Sequence, residues 1–293
     1  LIESAKWHKG THDLGFMIGD SFGKAYQLTG EQSYRDVMLQ AARTLCTRYS
    51  PKVGCIRSWD HNADRWTFPV IIDNMMNLEI LFEAYKLTGD KSFYDIAVSH
   101  ANVTMKNHFR DDYSSYHVVD YDPVTGTVRS RVTHQGYSDD SFWSRGQGWA
   151  LYGYTMCYRY THDQRYLEQA KNIAKFLFSL NNMPEDGIFF WDMKDPSIPD
   201  APRDASAAAL VASAFYELQA YVGAELGKQY IAYADKIVNS LIDHYQAPVG
   251  SNQGFLLLHS TGNKPANSEI DVPINYADYF YMEALRRKSM LVN

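Results

Sequence analysis

Cysteine is scarce, with 3 in 293 residues. Cys46, Cys55 and Cys157 cannot all pair and lack the C-x-x-C spacing of a metal site, which argues against a disulfide framework and against structural zinc. Long apolar runs are missing too: nothing approaches the roughly 20 residues that span a bilayer, so membrane insertion is not expected. Positive charge is in deficit, 28 Lys and Arg against 34 Asp and Glu for a net charge of -6. Such a chain has no basic field for neutralising phosphates, which argues against nucleic acid as a partner. No signal peptide opens the chain at "LIESAKWHKG", a beginning that fits a mature or trimmed protein equally well. The compartment stays open between periplasm and cytoplasm.

What the sequence has in abundance is aromatic surface, 22 Tyr, 14 Phe and 6 Trp. That much suits a well-filled core or a cleft with flat apolar walls of the kind that sugars stack on. It also repeats. "AYQLTGEQSYRDVMLQAARTL" from Ala25 matches "AYKLTGDKSFYDIAVSHANVT" from Ala84 and, more loosely, "CYRYTHDQRYLEQAKNIAKFL" from Cys157; "LQAYVGAELGKQYIAYADKIVNSL" is a degraded fourth copy. In each, an apolar-periodic segment ends at Thr-Gly or its equivalent, and a polar turn leads into a second segment of helical period. A glycine C-cap followed by an acid at the next helix start makes each unit a helical hairpin.

First-type helices are expected near residues 13–28, 73–87, 146–160, 204–220 and 276–290. Second-type helices are expected near 31–48, 91–109, 164–180 and 228–245. The loops "VGCIRSWDH", "SSYHVVDYDPVTG" and "EDGIFFWDM" are candidates for short strands. Small and aromatic residues all around the first-type helices suggest burial on most sides, as in an inner ring. The expected fold is therefore all-α, an (α/α)6 toroid in one catalytic domain over residues 1–293. Six helices of each type are needed and five and four are found. The count implies that about three N-terminal helices, roughly 75 residues, are absent from this chain.

In such a fold the starts of the inner helices line the cleft. They read His12-Asp13-Leu14-Gly15, Ile72-Asp73-Asn74, Arg145-Gly146-Gln147, Arg203-Asp204-Ala205 and Tyr276-Ala277-Asp278. Aspartate is a preferred N-cap, so capping is the competing explanation for every one of them. Asp73 stands apart because "FPVIIDNMMN" surrounds it with apolar residues, an environment that raises a carboxyl pKa and suits a general acid. Asp13 lies one repeat earlier, and two carboxyls in unequal surroundings are the usual equipment of glycoside chemistry. The stretch "HQGYSDDSFWSRGQGWALYGY" adds His134, Gln135, Trp143, Arg145 and Trp149. Its indoles can stack on a sugar and its guanidinium can fork onto a carboxylate. The competing explanation is a packed loop with Arg145 paired to Asp139 or Asp140. Trp59 and His117 end other loops on the same side, where each alone is more often structural.

Taken in order, "THDLGF", "VIIDNMMN", "DDYSSYHVVDYDPVTG", "THQGYSDDSFWSRGQGWALYGY", "EDGIFFWDM", "RDASAAA" and "YADYFYMEAL" resemble glycoside hydrolase family 88, the unsaturated glucuronyl hydrolases. The resemblance implies the (α/α)6 barrel and a missing N-terminal portion that in the family supplies a further cleft tryptophan. It implies a substrate left by a polysaccharide lyase, an oligosaccharide or disaccharide ending in a 4,5-unsaturated uronic acid. The family's catalytic aspartate falls on Asp73 and its second essential aspartate on Asp13. Its substrate contacts fall on Trp59, His117, His134, Gln135, Trp143, Arg145 and Trp149.

The implied reaction protonates the vinyl ether at C4 from Asp73 and adds water at C5; the resulting hemiketal then releases the neighbouring sugar. No metal or organic cofactor enters. Members that accept sulfated fragments resemble one another in a Ser-x-x-Ser-x-Lys pattern before the last inner helix. Here that loop reads "HSTGNKPANSEIDVPINYADY", which puts sulfated substrates in doubt and leaves Lys264 to be read as a solvated lysine. Two alternatives remain: a hydrolase of unsaturated galacturonyl-rhamnose from the related pectin-degrading family, and a catalytically silent sugar-binding toroid.

Overall fold

The structure is a computed structural model and describes residues 2–291. Helical hairpins dominate it. Helices α1 (Leu14–Ile18) and α2 (Lys24–Thr29) are joined by a π-turn at Gly19–Gly23 and lead into α3 (Gln32–Cys46). The next pairs are α4 (Leu78–Thr88) with α5 (Lys91–Asn107), α6 (Ser144–Thr161) with α7 (Gln164–Phe178), and α8 (Ala205–Leu218) with α9 (Ala224–Ser240). Helix α10 (Asn275–Leu291) closes the series. Short strands lie between hairpins: β1 (Tyr49–Ser50), β2 (Cys55–Ile56), β3 (Pro69–Ile71), β4 (Val118–Tyr121) and β5 (Val128–Val132).

The repeated turn has one chemical design. Thr29, Thr88 and Thr161 each donate a hydroxyl to the carbonyl four residues back, and each hydroxyl accepts the amide two residues on, at Glu31, Asp90 and Asp163. The residue in between is left-handed, Gly30 at φ 71° and Gly89 at φ 72°, but His162 at φ 55° in the third copy. A side chain there costs about 1–2 kcal/mol relative to the right-handed region. His162→Gly is expected to raise the urea midpoint by the equivalent of about 0.5–1 kcal/mol. A lower midpoint would mean that the edge contact of His162 with Tyr158, at 5.8 Å, outweighs the backbone gain.

The chain forms two compact units. The first holds the described residues up to Phe109, with Val118–Arg131 and Met156–Asp163. Here α1 packs on α3 and α4, and α4 on α5. Gly15, Gly19 and Gly23 form an i, i+4, i+8 stripe along this contact. A Cβ on Gly15 would sit 2.9 Å from Leu45 Cδ2, so the close approach depends on its absence. Strands β3, β4 and β5 form a sheet with β3 antiparallel to β4 and Val70 opposite Val119, over a core of Val53, Cys55, Phe68 and Tyr121.

The second unit holds Arg110–His117, Val132–Thr155 and the described residues from Gln164. There α8 packs against both α9 and α10. Every residue from Ala205 to Tyr216 is buried, which is the all-round burial expected of a first-type helix.

The helix expected from residue 73 begins instead as a 3-10 turn, Ile72–Asn77, preceded by β3. The run "FPVII" is apolar throughout and carries no period to separate a buried strand from a helix lead-in. Helix α9 starts four residues before the expected 228, because Gly227 lies inside it rather than ending it. A Cβ on Gly227 would approach the Gln219 carbonyl to 3.2 Å, so glycine is there for packing.

Candidate active site

In the first unit the segments that carry Trp59, Asp13 and Asp73 are tied through one residue. Ser58, fully buried, accepts the His12 amide on its carbonyl at 2.9 Å, donates its own amide to Pro69 O at 2.8 Å and accepts the Ile71 amide on its hydroxyl at 2.9 Å. Thr11 and Trp59 form an antiparallel bridge beside it. The Trp59 ring stacks on His61 at 5.2 Å and meets Trp66 edge-on at 6.1 Å.

Asp73 is half-buried inside the 3-10 turn, two residues past its N-cap Ile71, among the buried Ile71, Ile72, Met75 and Met76. Its neighbour Asn74 donates to Ile56 O at 2.7 Å, which holds the turn against β2.

Asp13 occupies the N-cap position of α1 but its side chain caps nothing. One oxygen accepts the Thr11 hydroxyl at 2.8 Å and the other lies 3.1 Å from Nε2 of the buried His12. Partial desolvation pushes the carboxyl up, but His12, Thr11 and the Arg48 charge together pull it further down, to about 2. The group is therefore an anion at any pH near neutrality.

Behind these segments lie two fully buried histidines of α5 and its end. His100 Nδ1 accepts the Ile56 amide at 3.0 Å, and His108 Nε2 is 3.0 Å from Val70 O. Burial disfavours their cationic forms and lowers both, His108 to about 4. The unfolded chain binds the proton more readily than the native state between that value and the ordinary 6.5. The stability from a neutral His108 is complete above pH 6.5 and is lost as pH falls towards 4, about 3 kcal/mol over the window. The urea midpoint should drop between pH 7 and 4.5, and less steeply in His108→Gln; equal slopes would assign the loss to other groups.

In the second unit the remaining six sequence candidates form one connected cluster. His117 Nδ1 accepts the amides of His134 at 3.1 Å and Gln135 at 3.0 Å, so the neutral ring carries its proton on Nε2. The His117 ring lies 6.3 Å from that of His134 and 4.8 Å from that of Trp143. The Arg145 guanidinium stands over the Trp143 ring at 4.3 Å and near Tyr276 at 5.4 Å, and Tyr276 in turn meets Trp149 at 5.9 Å. Gln135 Nε2 and Arg145 both donate to Gly262 O, at 3.1 and 2.6 Å.

The loop "EDGIFFWDM" supports this cluster from below. The Ser144 amide and hydroxyl bond Trp191 O and Phe190 O, while the fully buried Asp192 accepts the Tyr137 amide and the Ser141 hydroxyl.

The competing explanation for Arg145 and the reading of Lys264 both need correction. Arg145 does not pair with Asp139 or Asp140. It is 2% exposed and its partner is the fully buried Asp204, at 2.7 Å, with Thr261 O a further acceptor at 2.6 Å. Asp139 instead accepts the Thr133 amide. Lys264 is not simply solvated: its ammonium sits 2.7 Å from Asp195 and over the Trp191 ring at 4.9 Å. Sequence reading also missed Ser58, Asn77, Thr261 and Gly262. Each acts through backbone or amide hydrogen bonds to partners distant in sequence, which no local motif marks, and Asn77 stood unremarked inside "VIIDNMMN".

Capping separates the aspartates at the helix starts. Asp204 is a true N-cap, accepting the amides of Ser206 and Ala207, and it also pairs with Arg145. Asp278 accepts the amides of Leu256 and Leu257, fixing a loop. Among the described residues no cluster of three His, Cys, Asp or Glu side chains is arranged to hold a metal ion, and no helix is long and apolar enough to cross a membrane.

Known proteins match this chain along its length. Residues 17–288 match Glycosyl Hydrolase Family 88. An unsaturated glucuronyl hydrolase of Formosa agariphila is 51% identical over 100% of this chain and 73% of its own. An unsaturated chondroitin disaccharide hydrolase of Streptococcus pneumoniae is 36% identical over 94% of this chain and 70% of its own. The crystal structure of an unsaturated glucuronyl hydrolase specific for heparin superposes with a TM-score of 0.96 at 48% identity, covering 99% of this chain and 78% of that one. The fold class is that of these enzymes, the α/α toroid expected above from the hairpin repeat. The ordered motifs, the helical hairpins and these matches agree, and the chain belongs to glycosyl hydrolase family 88.

Proposed function

We propose that the protein hydrolyses lyase-generated oligosaccharides whose terminal sugar is a 4,5-unsaturated glucuronic acid. The observation that carries this reading in the structure is the state of the two aspartates of the first unit. Both stand at first-type helix starts, yet the Asp13 carboxylate does not cap its helix and Asp73 lies past the cap position, in a turn of buried Ile and Met. Relatives named unsaturated glucuronyl hydrolase and unsaturated chondroitin disaccharide hydrolase supply the reaction class.

The substrate is a vinyl ether, so the first event is protonation at C4. Asp73 donates that proton and, as carboxylate, takes one from the water that attacks C5. The product is a hemiketal, which opens and releases the neighbouring sugar with no covalent glycosyl enzyme. Asp13, anionic throughout, holds ring hydroxyls and stabilises the positive charge that develops towards C5. Trp59 of the first unit is assigned to stacking on the sugar.

In the second unit the contacts are assigned to His117 through its Nε2–H, to His134, Gln135, Trp143 and Trp149, and to Arg145 as a fixed positive charge behind Trp143. The ammonium of Lys264 is already answered by Asp195, which favours unsulfated fragments.

The test follows the conjugated double bond, whose ultraviolet absorbance is destroyed by hydration. A panel of unsaturated disaccharides from chondroitin, heparin, xanthan-type and pectin backbones, with and without sulfate, is incubated with the protein. Loss of absorbance with the glucuronyl members establishes the reaction and ranks the leaving sugars. Loss only with galacturonyl-rhamnose moves the protein to the pectin reaction. Binding without loss on any member moves it to a silent sugar-binding role.

A further inference from the structure

The uncapped Asp13 poses a problem of hydrogen bonding that the fold solves elsewhere. The first amides of an α-helix have no intrahelical partner, and the N-cap side chain ordinarily takes the amide two or three residues on. At the start of α1 the Gly15 amide reaches His12 O at 3.0 Å and the Met17 amide reaches Asp13 O at 2.8 Å. The Phe16 amide, three residues past Asp13, is the one an N-cap aspartate would take. It donates instead to Asn77 Oδ1 at 2.6 Å, across 61 residues of sequence. Asn77 is 1% exposed and lies four residues past Asp73, at the end of the same 3-10 turn. A cap from the Asp73 turn thus replaces the one that Asp13 does not make.

Resting on the reading of Asp13 and Asp73 as the reacting pair, we propose that Asn77 is a positioning residue that caps α1 in place of Asp13. It thereby leaves the Asp13 carboxylate turned outward and ties the two aspartate-bearing segments in register. Gly15 belongs to the same device. A Cβ there would lie 2.8 Å from Asn77 Oδ1, so glycine is what lets the amide reach the helix start. Without Asn77, the Phe16 amide is orphaned beside an anion already in the N-cap position, and the helix dipole adds to the attraction. Asp13, whose backbone is helical at φ -59° and ψ -17°, then shifts to the extended backbone of a capping residue, and its carboxylate leaves Thr11 and His12 for the Phe16 amide.

The experiment compares wild type with Asp13→Asn, Asn77→Leu, the double variant and Asn77→Asp, which keeps an acceptor oxygen. Displacement of a reacting group by about 1 Å costs on the order of 10²-fold, so Asn77→Leu should lower kcat by about that factor with a much smaller change in KM. The double variant should be no slower than the slower single, since both lose the same group, and Asn77→Asp should recover most of the rate. An Asn77→Leu kcat within about twofold of wild type, or losses that multiply in the double, would overturn the proposal.

A crystal structure of Asn77→Leu decides independently of activity: the Asp13 carboxylate should be found on the Phe16 amide, and finding it still on Thr11 and His12 would refute the device. Wild type that turns over no substrate would count against the reaction and not against the cap, which the crystal structure still tests. Should Asn77→Leu fail to fold, Gly15→Ala displaces the same amide and must show the same loss and the same swing.

Discussion

Replacing Asp73 by asparagine is expected to leave the fold intact and to lower kcat by about 10²–10⁴-fold. The amide has the shape of the acid but can neither deliver a proton to C4 nor take one from water. Folding should be spared for a structural reason. The N-cap position of the Asp73 turn belongs to Ile71, and the side chain is only half-buried, so the substitution removes no cap and keeps the size and shape of the side chain. Turnover followed by double-bond absorbance, with melting curves alongside, makes the comparison. A wild-type rate in this variant would remove Asp73 from the chemistry. A lost rate with a lowered Tm would leave its role confounded with stability, and Asp73→Glu, longer but still acidic, would then separate the two by whether turnover returns.

The second large effect concerns stability. Removing Asp204 strands a buried guanidinium, because Arg145 is 2% exposed and its charge is answered by this carboxylate at 2.7 Å. Breaking a buried pair from one side costs about 3–5 kcal/mol, and losing the cap of α8 adds about 1 kcal/mol. For a chain of this size that corresponds to a fall in Tm of roughly 10 °C. Asp204→Ala should show it. The double replacement of both partners by apolar residues should recover much of the loss, since no charge is then left without its counterpart. A Tm unchanged in Asp204→Ala would mean that the carbonyls of Thr261 and Gly262 suffice for the guanidinium.

Much of this architecture was legible in the sequence because its cues are local. The Thr-Gly turns announce three hairpins, and each forms where its threonine and left-handed residue predict, with His162 standing in for glycine. The aspartates at helix starts were equally visible, but their states were not. Asp13 and Asp204 occupy the same position in their helices, but Asp204 has the non-helical backbone of a capping residue, φ -131° and ψ 89°, and Asp13 a helical one, φ -59° and ψ -17°, a difference that residue type does not announce.

The partners of Arg145 and Lys264 were hidden from the sequence for the same reason. The acids nearest in sequence were Asp139 and Asp140 for Arg145, and Glu269 and Asp271 for Lys264. The ones they meet are 59 and 69 residues away in the chain. Local periodicity carries no information on such pairs. Nor could β3 be told from a helix lead-in, since "FPVII" is apolar on both faces.

Ser58 bears on how the site moves. Its amide, carbonyl and hydroxyl are committed to Pro69, His12 and Ile71, so the loop before α1 and the strand before the Asp73 turn cannot separate without breaking several of these bonds together. In hydrogen-exchange terms the amides of His12, Ser58 and Ile71 belong to one opening unit. They should exchange at a common slow rate set by that cooperative event, while the exposed turns around them exchange freely.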